Sequence, residues 1–124
     1  MSQQPRILVV DDEPAILLTY TAILEQHGYE VTGVPSVEEA EKALEERAFD
    51  LLLCDLTLGS GHSGLEVVEF ARERHPRIEA VLLTGFADRK TTSEAAGKRI
   101  VLLLKPLEVL HLLQTIGLLM GKNR

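Results

Sequence analysis

Four short segments of the chain consist of apolar residues without a polar interruption. They cover residues 7–10, 51–54, 80–83 and 100–104. Apolar runs of this length, bounded by turn residues, are typical of strands buried on both faces, as in a parallel sheet. A fifth segment, residues 30–34, is more polar and predicts a strand nearer the edge of the sheet.

The segments between these strands show the spacing of apolar residues that is typical of amphipathic helices. The predicted helices cover residues 14–27, 37–48, 63–75, 88–97 and 107–120. Gly28 follows the first helix, Ser36 and Glu39 have the spacing of a capping box at the second, and Pro76 ends the third. The fourth segment carries almost no apolar stripe, so it predicts only a short helix.

Strands and helices therefore alternate five times along the chain. Strict alternation implies an α/β fold, with a parallel sheet, helices on both faces and right-handed crossovers. The 124 residues are 45% hydrophobic and 26% charged, which is ordinary for a globular domain with a single core. We expect residues 1–124 to form one domain.

The charge balance and the cysteine content exclude several classes of function. The net charge is −6, so we expect no direct binding to nucleic acid. No apolar run approaches the length of a membrane span and no signal-peptide pattern is present, so we expect no membrane contact. Cys54 is the only cysteine, which fits a reducing, cytoplasmic compartment. With no residues left over for an output module, we expect the chain to act by contact with other proteins.

Four of the five predicted strands end in residues that can handle a charged ligand. Asp11 and Asp12 follow the first strand, Asp55 ends the third, Thr84 ends the fourth and Lys105 follows the fifth. The carboxyl ends of parallel strands lie along one edge of the sheet, where ligands of α/β proteins bind. We therefore expect these side chains to meet.

Three carboxylates in one cleft repel each other and raise each other's pKa values. A hard divalent cation removes that cost, and Mg²⁺ suits a few carboxylate oxygens together with a phosphate. The hydroxyl of Thr84 and the ammonium of Lys105 suit phosphoryl oxygens. We interpret these residues as a site at which a phosphoryl group is transferred to a carboxylate oxygen, with Mg²⁺ as the cofactor.

Four motifs make the sequence resemble the receiver domain of two-component response regulators over essentially its whole length. They are Val10-Asp11-Asp12-Glu13, Leu53-Cys54-Asp55-Leu56, Leu83-Thr84-Gly85 and Leu104-Lys105-Pro106. The resemblance implies a flavodoxin-like fold with a five-stranded sheet in the order 2-1-3-4-5. It also implies a phosphoacceptor signalling domain, which promotes its own phosphotransfer and dephosphorylation but is not a multiple-turnover enzyme.

The resemblance assigns the acidic residues and their partner. Asp55 is the expected phosphoacceptor, which receives its phosphoryl group from the phosphohistidine of a sensor histidine kinase or a phosphotransfer protein. Asp12 is the expected direct Mg²⁺ ligand, and Asp11 holds a metal-bound water or supports the site. Asp55 and the backbone carbonyl of Thr57 complete the metal ligands.

The resemblance also assigns the residues on the last two strands. Thr84 is expected to move and donate a hydrogen bond to a phosphoryl oxygen, and Lys105 to pair with another. A cis peptide bond is expected between Lys105 and Pro106, because proline makes that isomer accessible.

The sequence departs from the family pattern at two places besides the polar fourth helix. The position three residues before the family's lysine is usually aromatic and is Leu102 here, so the family's coupled rotation of a threonine and an aromatic residue cannot operate in its usual form. The loop after Asp55 has Gly59 where a proline is usual, and residues 56–63 make it one residue longer. This loop resembles receivers attached to hybrid sensor kinases.

Apolar residues cover about half of the circumference of the last predicted helix, which is more than packing on a sheet requires. We expect the surplus, Val109, Leu112 and Leu119, to form an exposed patch. Such a patch would serve a homodimer, or a downstream protein partner that binds the last helix and the fifth strand. The alternative is that neighbouring segments cover it.

Three other functions compete with the phosphoacceptor interpretation. A phosphatase of the haloacid-dehalogenase type uses similar groups, but its nucleophile lies in an Asp-x-Asp pattern, whereas this chain has Asp11-Asp12-Glu13. A flavodoxin-like electron carrier needs a glycine- and hydroxyl-rich phosphate loop after the first strand. This chain has Asp12-Glu13-Pro14 there, which would repel a phosphate. A pseudo-receiver that signals without phosphorylation is disfavoured by the intact set of acids.

Overall fold

The computed structural model describes residues 4–121, which form one five-stranded parallel sheet flanked by five helices. The strands are β1 (Arg6–Val10), β2 (Glu30–Val34), β3 (Leu51–Asp55), β4 (Glu79–Thr84) and β5 (Ile100–Leu104). The helices are α1 (Pro14–Gln26), α2 (Val37–Glu46), α3 (Gly64–Arg74), α4 (Arg89–Gly97) and α5 (Val109–Leu119). The strand order is β2-β1-β3-β4-β5, so the predicted fold and order are confirmed.

The register of the sheet brings the ends of four strands into line. Val10 at the end of β1 pairs with Cys54 of β3, and Asp55 pairs with Leu83 of β4. Thr84, the last residue of β4, pairs with Leu104 at the end of β5. The residues that end or follow β1, β3, β4 and β5 therefore lie along one edge.

Two apolar layers hold the helices against the sheet. Alternate residues of each strand point to opposite faces, so Leu8 of β1 packs with α2, α3 and α4, and Ile7 packs with α1 and α5. The central strands are buried on both faces, as the uninterrupted apolar runs predict. Burying one such leucine or isoleucine side chain contributes about 1.5–3 kcal/mol to the free energy of unfolding. Burial of the strands thereby holds the polar residues that follow them at one edge of the sheet.

The ends of the helices show how local sequence sets their bounds. Ser36 accepts a hydrogen bond from the Glu39 amide at 3.2 Å, but the reciprocal capping box forms at Ser63 and Glu66 of α3 instead. The polar segment after β4 is a helix, as predicted, and it begins where Asp88 accepts a hydrogen bond from the Thr91 amide at 2.7 Å.

The composition of the predicted patch on α5 is wrong in part. Leu112 is fully buried in the layer shared with α1, because it and Ile116 are one turn apart and both face the sheet. Leu119 is half-buried. The large apolar residues that α5 exposes are Val109, Leu110 and Leu118.

Helix α5 begins at Val109, two residues later than the sequence pattern predicts, because Glu108 with extended backbone is its N-cap residue. Within residues 4–121, no helix combines the length and the apolar character that a membrane crossing needs.

Candidate functional site

The three acidic residues predicted from the strand ends form one cluster. Asp11 and Asp12 follow β1 directly and Asp55 is the last residue of β3, which pairs with β1. One carboxylate oxygen from each of the three lies within 4.8 Å of the others. This spacing is small enough for a single cation to contact all three groups.

Asp11 is the buried member of the cluster. Its side chain is only 1% exposed, and its Oδ1 accepts a hydrogen bond from the Glu13 amide at 2.9 Å. Its Oδ2 is buried and has no hydrogen-bond partner among the described residues. Burial raises the pKa of Asp11, and the negative charges of Asp55 and Asp12 raise it further, although the Glu13 hydrogen bond and the charge of Lys105 oppose them.

The unpartnered Oδ2 of Asp11 indicates whether the three acidic residues fit a metal ion. A buried carboxylate oxygen without a donor is costly, and oxygen ligands from carboxylates are what Mg²⁺ prefers. Asp11 therefore offers a ligand atom that no protein group satisfies, next to two further carboxylates. The donor set fits a hard divalent cation.

Asp55 is held on both of its oxygens. The Lys105 ammonium donates to Oδ2 at 2.7 Å, and the Thr57 amide donates to Oδ1 at 3.2 Å. Burial lowers the pKa of Lys105, but its hydrogen bond to Asp55 and the charges of Asp55 and Asp11 outweigh burial and leave that pKa raised. Lys105 therefore stays protonated, close enough to neutralise charge on a group that is added to Asp55.

Thr84 lies at the same edge, but its hydroxyl is bonded to the loop between β4 and α4. The side chain is 5% exposed. Its Oγ1 donates to the Phe86 carbonyl at 2.8 Å and accepts from the Phe86 amide at 3.2 Å. The structure therefore places Thr84 beside the predicted site with its hydroxyl proton already in use.

The two remaining predicted positions are backbone features. Thr57 follows β3 by two residues and forms an isolated antiparallel bridge with Ser63. The peptide bond between Lys105 and Pro106 is cis, and the Lys105 amide donates to the Thr84 carbonyl at 2.8 Å.

The sequence alone did not point to Gly64, the first residue of α3. Its amide donates to the Leu56 carbonyl at 2.7 Å, and a Cβ atom there would lie 2.5 Å from the backbone oxygen of Asp55. Only glycine allows α3 to approach the backbone of Asp55 so closely. A glycine at the start of a helix, where it lowers helix propensity, was the available signal.

Chemically, this arrangement presents one carboxylate, Asp55, between a cluster of acids and an ammonium. An anionic group that approaches Asp55 would be repelled by Asp11 and Asp12 unless a cation neutralises them. A cation held by these acids would remove the repulsion, and the Lys105 ammonium would then attract the group. The site therefore suits an anionic group with several oxygens.

One known protein family matches this sequence over most of its length. The sequence matches the family described as response regulator receiver domain over residues 7–117. Among curated proteins, it is 40% identical over 93 residues to the alginate biosynthesis transcriptional regulatory protein AlgB of Pseudomonas aeruginosa. That alignment covers 75% of this chain and 20% of AlgB, so the chain spans about a fifth of the length of this relative.

Solved structures agree with the match. A CheY-like receiver domain protein from Methanospirillum hungatei JF-1 superposes with a TM-score of 0.89 at 30% identity, covering 97% of this chain and 96% of that one. The response regulator TrrA of Thermotoga maritima, in complex with Mg²⁺-BeF, has a TM-score of 0.81 at 29% identity, with coverage of 94% and 99%. The beryllofluoride-activated NtrC4 receiver domain dimer has a TM-score of 0.85 at 32% identity, with coverage of 94% and 97%.

The match covers the sheet from Ile7 onward and every acid of the cluster. These relatives are a transcriptional regulatory protein and proteins described as response regulators or receiver domains. The similarity of the loop after Asp55 to hybrid-kinase receivers stays a prediction. A receiver domain is a phosphoacceptor and not an enzyme of the usual kind. The chain belongs to the response regulator receiver domain family.

Proposed function

We propose that Asp55 is the phosphoacceptor of this chain, and that it receives its phosphoryl group from the phosphohistidine of a histidine kinase or a phosphotransfer protein. Receiver domains are the phosphoacceptor signalling domains of two-component systems and have histidine kinases as partners. The observation that carries the assignment is the position of the Asp55 carboxylate, which bonds to Lys105 at 2.7 Å and lies with Asp11 and Asp12 in one cluster.

The proposed cofactor is Mg²⁺, held by Asp11, Asp12, Asp55 and the backbone carbonyl of Thr57. Support comes from the unpartnered oxygen of Asp11 and from the donor set, which contains only oxygens. The related TrrA structure contains Mg²⁺ together with BeF. When bound, the cation neutralises the negative charge of the acids and of the incoming phosphoryl group.

In the proposed reaction, an oxygen of Asp55 forms a bond to phosphorus as the bond between phosphorus and the donor's histidine nitrogen breaks. The Lys105 ammonium neutralises one phosphoryl oxygen, and the Thr84 hydroxyl donates a hydrogen bond to another. The product is an acyl phosphate on Asp55, which water hydrolyses to free phosphate. Each cycle of phosphorylation and hydrolysis consumes one phosphoryl group from the donor. What the cycle changes is the state of the receiver, and it does not turn over a metabolite.

Labelling with a small donor tests the assignment. Acetyl phosphate with Mg²⁺ should add one phosphoryl group to the chain, as read by intact mass, and Asp55→Asn should gain none. Asp50→Asn is the matched control, because Asp50 precedes β3 at the opposite edge of the sheet and should leave labelling unchanged. Equal labelling of Asp55→Asn and the wild type would reject Asp55 as the acceptor. A wild type that stays unlabelled would favour the pseudo-receiver.

We also propose that residues 1–124 act as one receiver unit in the cytoplasm. The family match over residues 7–117 and the buried, unpaired Cys54, which agrees with a reducing compartment, support this. The net charge of −6 favours proteins over nucleic acid as direct partners.

The proposed partner surface is formed by β5 and α5. Leu104 of β5 and Leu110 and Leu118 of α5 are exposed large apolar residues. A contiguous exposed apolar patch marks a contact site in soluble proteins. The related NtrC4 receiver is a dimer in its beryllofluoride-activated form. We propose that this surface binds a second copy of the chain or a downstream protein after phosphorylation.

A further inference from the structure

The two ends of α4 are attached to the rest of the molecule in different ways. At the C-terminal end, the guanidinium of Arg72 from α3 donates to the carbonyls of Lys98 and Arg99, just after the helix. It also donates to the Ile78 carbonyl at 3.2 Å, and the Arg99 guanidinium donates to the Pro76 carbonyl at 3.0 Å. These bonds join the end of α4 to α3 and to the segment between α3 and β4.

Burial is divided between the two halves of α4 in the same way. Ala95 is the only buried residue of this helix, and the buried Ile100 follows it at the start of β5. None of residues 85–93 is buried. Because a segment with few buried contacts opens at a low cost in free energy, residues 85–93 can open while the rest of the helix stays packed.

The first half of α4 and the loop before it have a single hydrogen-bonded link to the sheet. Asp88 caps the helix by accepting from the Thr91 amide at 2.7 Å, but both residues belong to this segment. Apart from the segment and the backbone of α4, the one hydrogen-bond partner of residues 85–93 among the described residues is Thr84. Its Oγ1 donates to the Phe86 carbonyl at 2.8 Å and accepts from the Phe86 amide at 3.2 Å.

We propose that α4 has a hinge near Glu94, and that Arg72 is the residue that holds the half of the helix beyond it. When the Thr84 hydroxyl leaves Phe86, residues 85–93 lose their link to the sheet and open. Residues 95–99 stay in place, because neither the hydrogen bonds of Arg72 nor the burial of this half involves Thr84. The conformational change is therefore confined to the loop and the first half of α4.

Phosphorylation of Asp55 is the natural trigger of this opening, and this part of the inference rests on the proposed function. The Thr84 hydroxyl has one proton to donate, so a hydrogen bond to a phosphoryl oxygen excludes the bond to the Phe86 carbonyl. Removing the hydroxyl by substitution breaks the same link without any phosphoryl donor. The hinge and the proposed function can therefore be tested separately.

Thr84→Val removes the hydroxyl and keeps the shape of this buried side chain. Without donor or Mg²⁺, hydrogen exchange read by mass spectrometry should quicken about three- to tenfold in residues 85–93, as expected when a hydrogen bond is lost. Exchange in residues 95–99 should change by less than about twofold, with β3 as the reference for global stability. Thr19→Val is the matched control, because Thr19 also donates to a backbone carbonyl but lies on α1. It should leave exchange in α4 at the wild-type level.

A double-mutant cycle with Arg72→Met separates the hinge from a general loss of stability. Thr84→Val should quicken exchange in residues 95–99 by less than about twofold when Arg72 is present, but by at least about threefold in the Arg72→Met background. The effect of Arg72→Met alone cancels in this comparison. A Thr84→Val protein that leaves residues 85–93 unchanged, or that quickens all of α4 equally with Arg72 present, overturns the inference.

The natural trigger is tested on the wild type with acetyl phosphate and Mg²⁺, which should reproduce the exchange pattern of Thr84→Val. Full phosphorylation by intact mass with unchanged exchange in residues 85–93 would overturn phosphorylation as the trigger. A wild type that acquires no phosphoryl group would contradict the proposed function, whereas the result with Thr84→Val decides the hinge on its own.

Discussion

The Asp11 carboxylate is buried and hydrogen-bonded on only one oxygen. Burial raises its pKa above the usual value of 3.8, so the folded chain binds this proton more tightly than the unfolded chain does. The stability of the metal-free protein therefore falls as pH rises from 3.8 through the raised pKa, and the loss is complete above that raised pKa. The site carries a cost in stability that a bound cation removes.

Asp11→Asn should consequently stabilise the metal-free chain at pH 7, by about 1 kcal/mol, because it removes a buried negative charge that lies beside two other carboxylates. The variant should also lose the gain in stability that Mg²⁺ gives the wild type, since a ligand that binds only the folded state stabilises it. Urea unfolding in EDTA and in saturating Mg²⁺ measures both effects. In EDTA, an Asp11→Asn protein that is less stable than the wild type would contradict this prediction.

The acids and the lysine of the site could be predicted at the residue scale, because each directly ends or follows a strand and parallel strands end at one edge. The contacts of Gly59 with Asp12 and of Gly64 with Asp55 could not be predicted in this way. They depend on the path of a turn through space, and a glycine in the sequence does not say whether it serves a φ angle or a close approach.

At the scale of elements, the loop from β4 to α4 is joined by a hydrogen bond to Thr84, one of the predicted site residues. A threonine hydroxyl has a single hydrogen to donate, and Thr84 gives it to the Phe86 carbonyl. If Thr84 donates to a phosphoryl oxygen, as proposed, the bond to Phe86 must break. Because Leu102 of β5 is aliphatic and packs against the core, we expect the movement to be transmitted through Phe86.

The chain has no tryptophan and Phe86 is 75% exposed, so Phe86→Trp places a single reporter in this loop. Its fluorescence emission should shift when acetyl phosphate and Mg²⁺ are added, because release of the Thr84 bond changes the environment of the ring. The shift should be absent with Asp55→Asn and strongly reduced with Thr84→Ala. An emission spectrum that stays constant while intact mass shows full phosphorylation would argue against coupling through this loop.

Helix α4 shows why a polar helix can still be stable. Ala95 is its only buried residue, but its C-terminal end is held by the guanidinium of Arg72 from α3. Arg72 donates to the carbonyl of Lys98, to that of Arg99 at 2.9 Å and to that of Ile78 at 3.2 Å. Side-chain donors of this kind satisfy carbonyls that a helix end leaves free.

Arg72→Met should keep the aliphatic stem and remove these donors, so we expect a loss of about 1–3 kcal/mol in the free energy of unfolding. Hydrogen exchange should quicken in the last turn of α4 more than in α1. Arg77→Met is the control, because Arg77 is exposed and should cost little. Equal exchange in α4 of the two variants would show that Arg72 does not hold this helix.

For α5, periodicity predicts a helix that is apolar over half of its surface, but not which half faces the sheet. Leu112 was expected to be exposed and is buried, whereas Leu118 was not expected in the patch and is exposed. In a helix with so many leucines, the rotation about its axis is set by packing against β5 and α1, which the pattern of one segment does not contain.

At the scale of the whole molecule, the topology followed from the sequence because strand–helix alternation and right-handed crossovers leave few arrangements. The same topology separates two surfaces. The acidic cluster lies at the carboxyl edge of β1 and β3 in the middle of the sheet, whereas the exposed Leu104 lies on β5, which is the edge strand, and the exposed Leu110 and Leu118 lie on α5. We therefore expect a second protein to bind β5 and α5 while Asp55 stays accessible.

Self-association has to overcome charge, because each copy carries a net charge of −6 and phosphorylation adds to it. A dimer therefore needs apolar contacts, and we expect the phosphorylated chain to dimerise through β5 and α5 as read by light scattering. Leu110→Lys should keep Asp55 labelling but stay monomeric, because a charge would be buried without a partner. Leu18→Lys on α1, at a site that is 71% exposed and on another helix, should still dimerise. Moderate salt screens the repulsion between copies. If the phosphorylated wild type remains monomeric at high concentration under these conditions, dimerisation is ruled out and the downstream protein is the only proposed occupant of this surface.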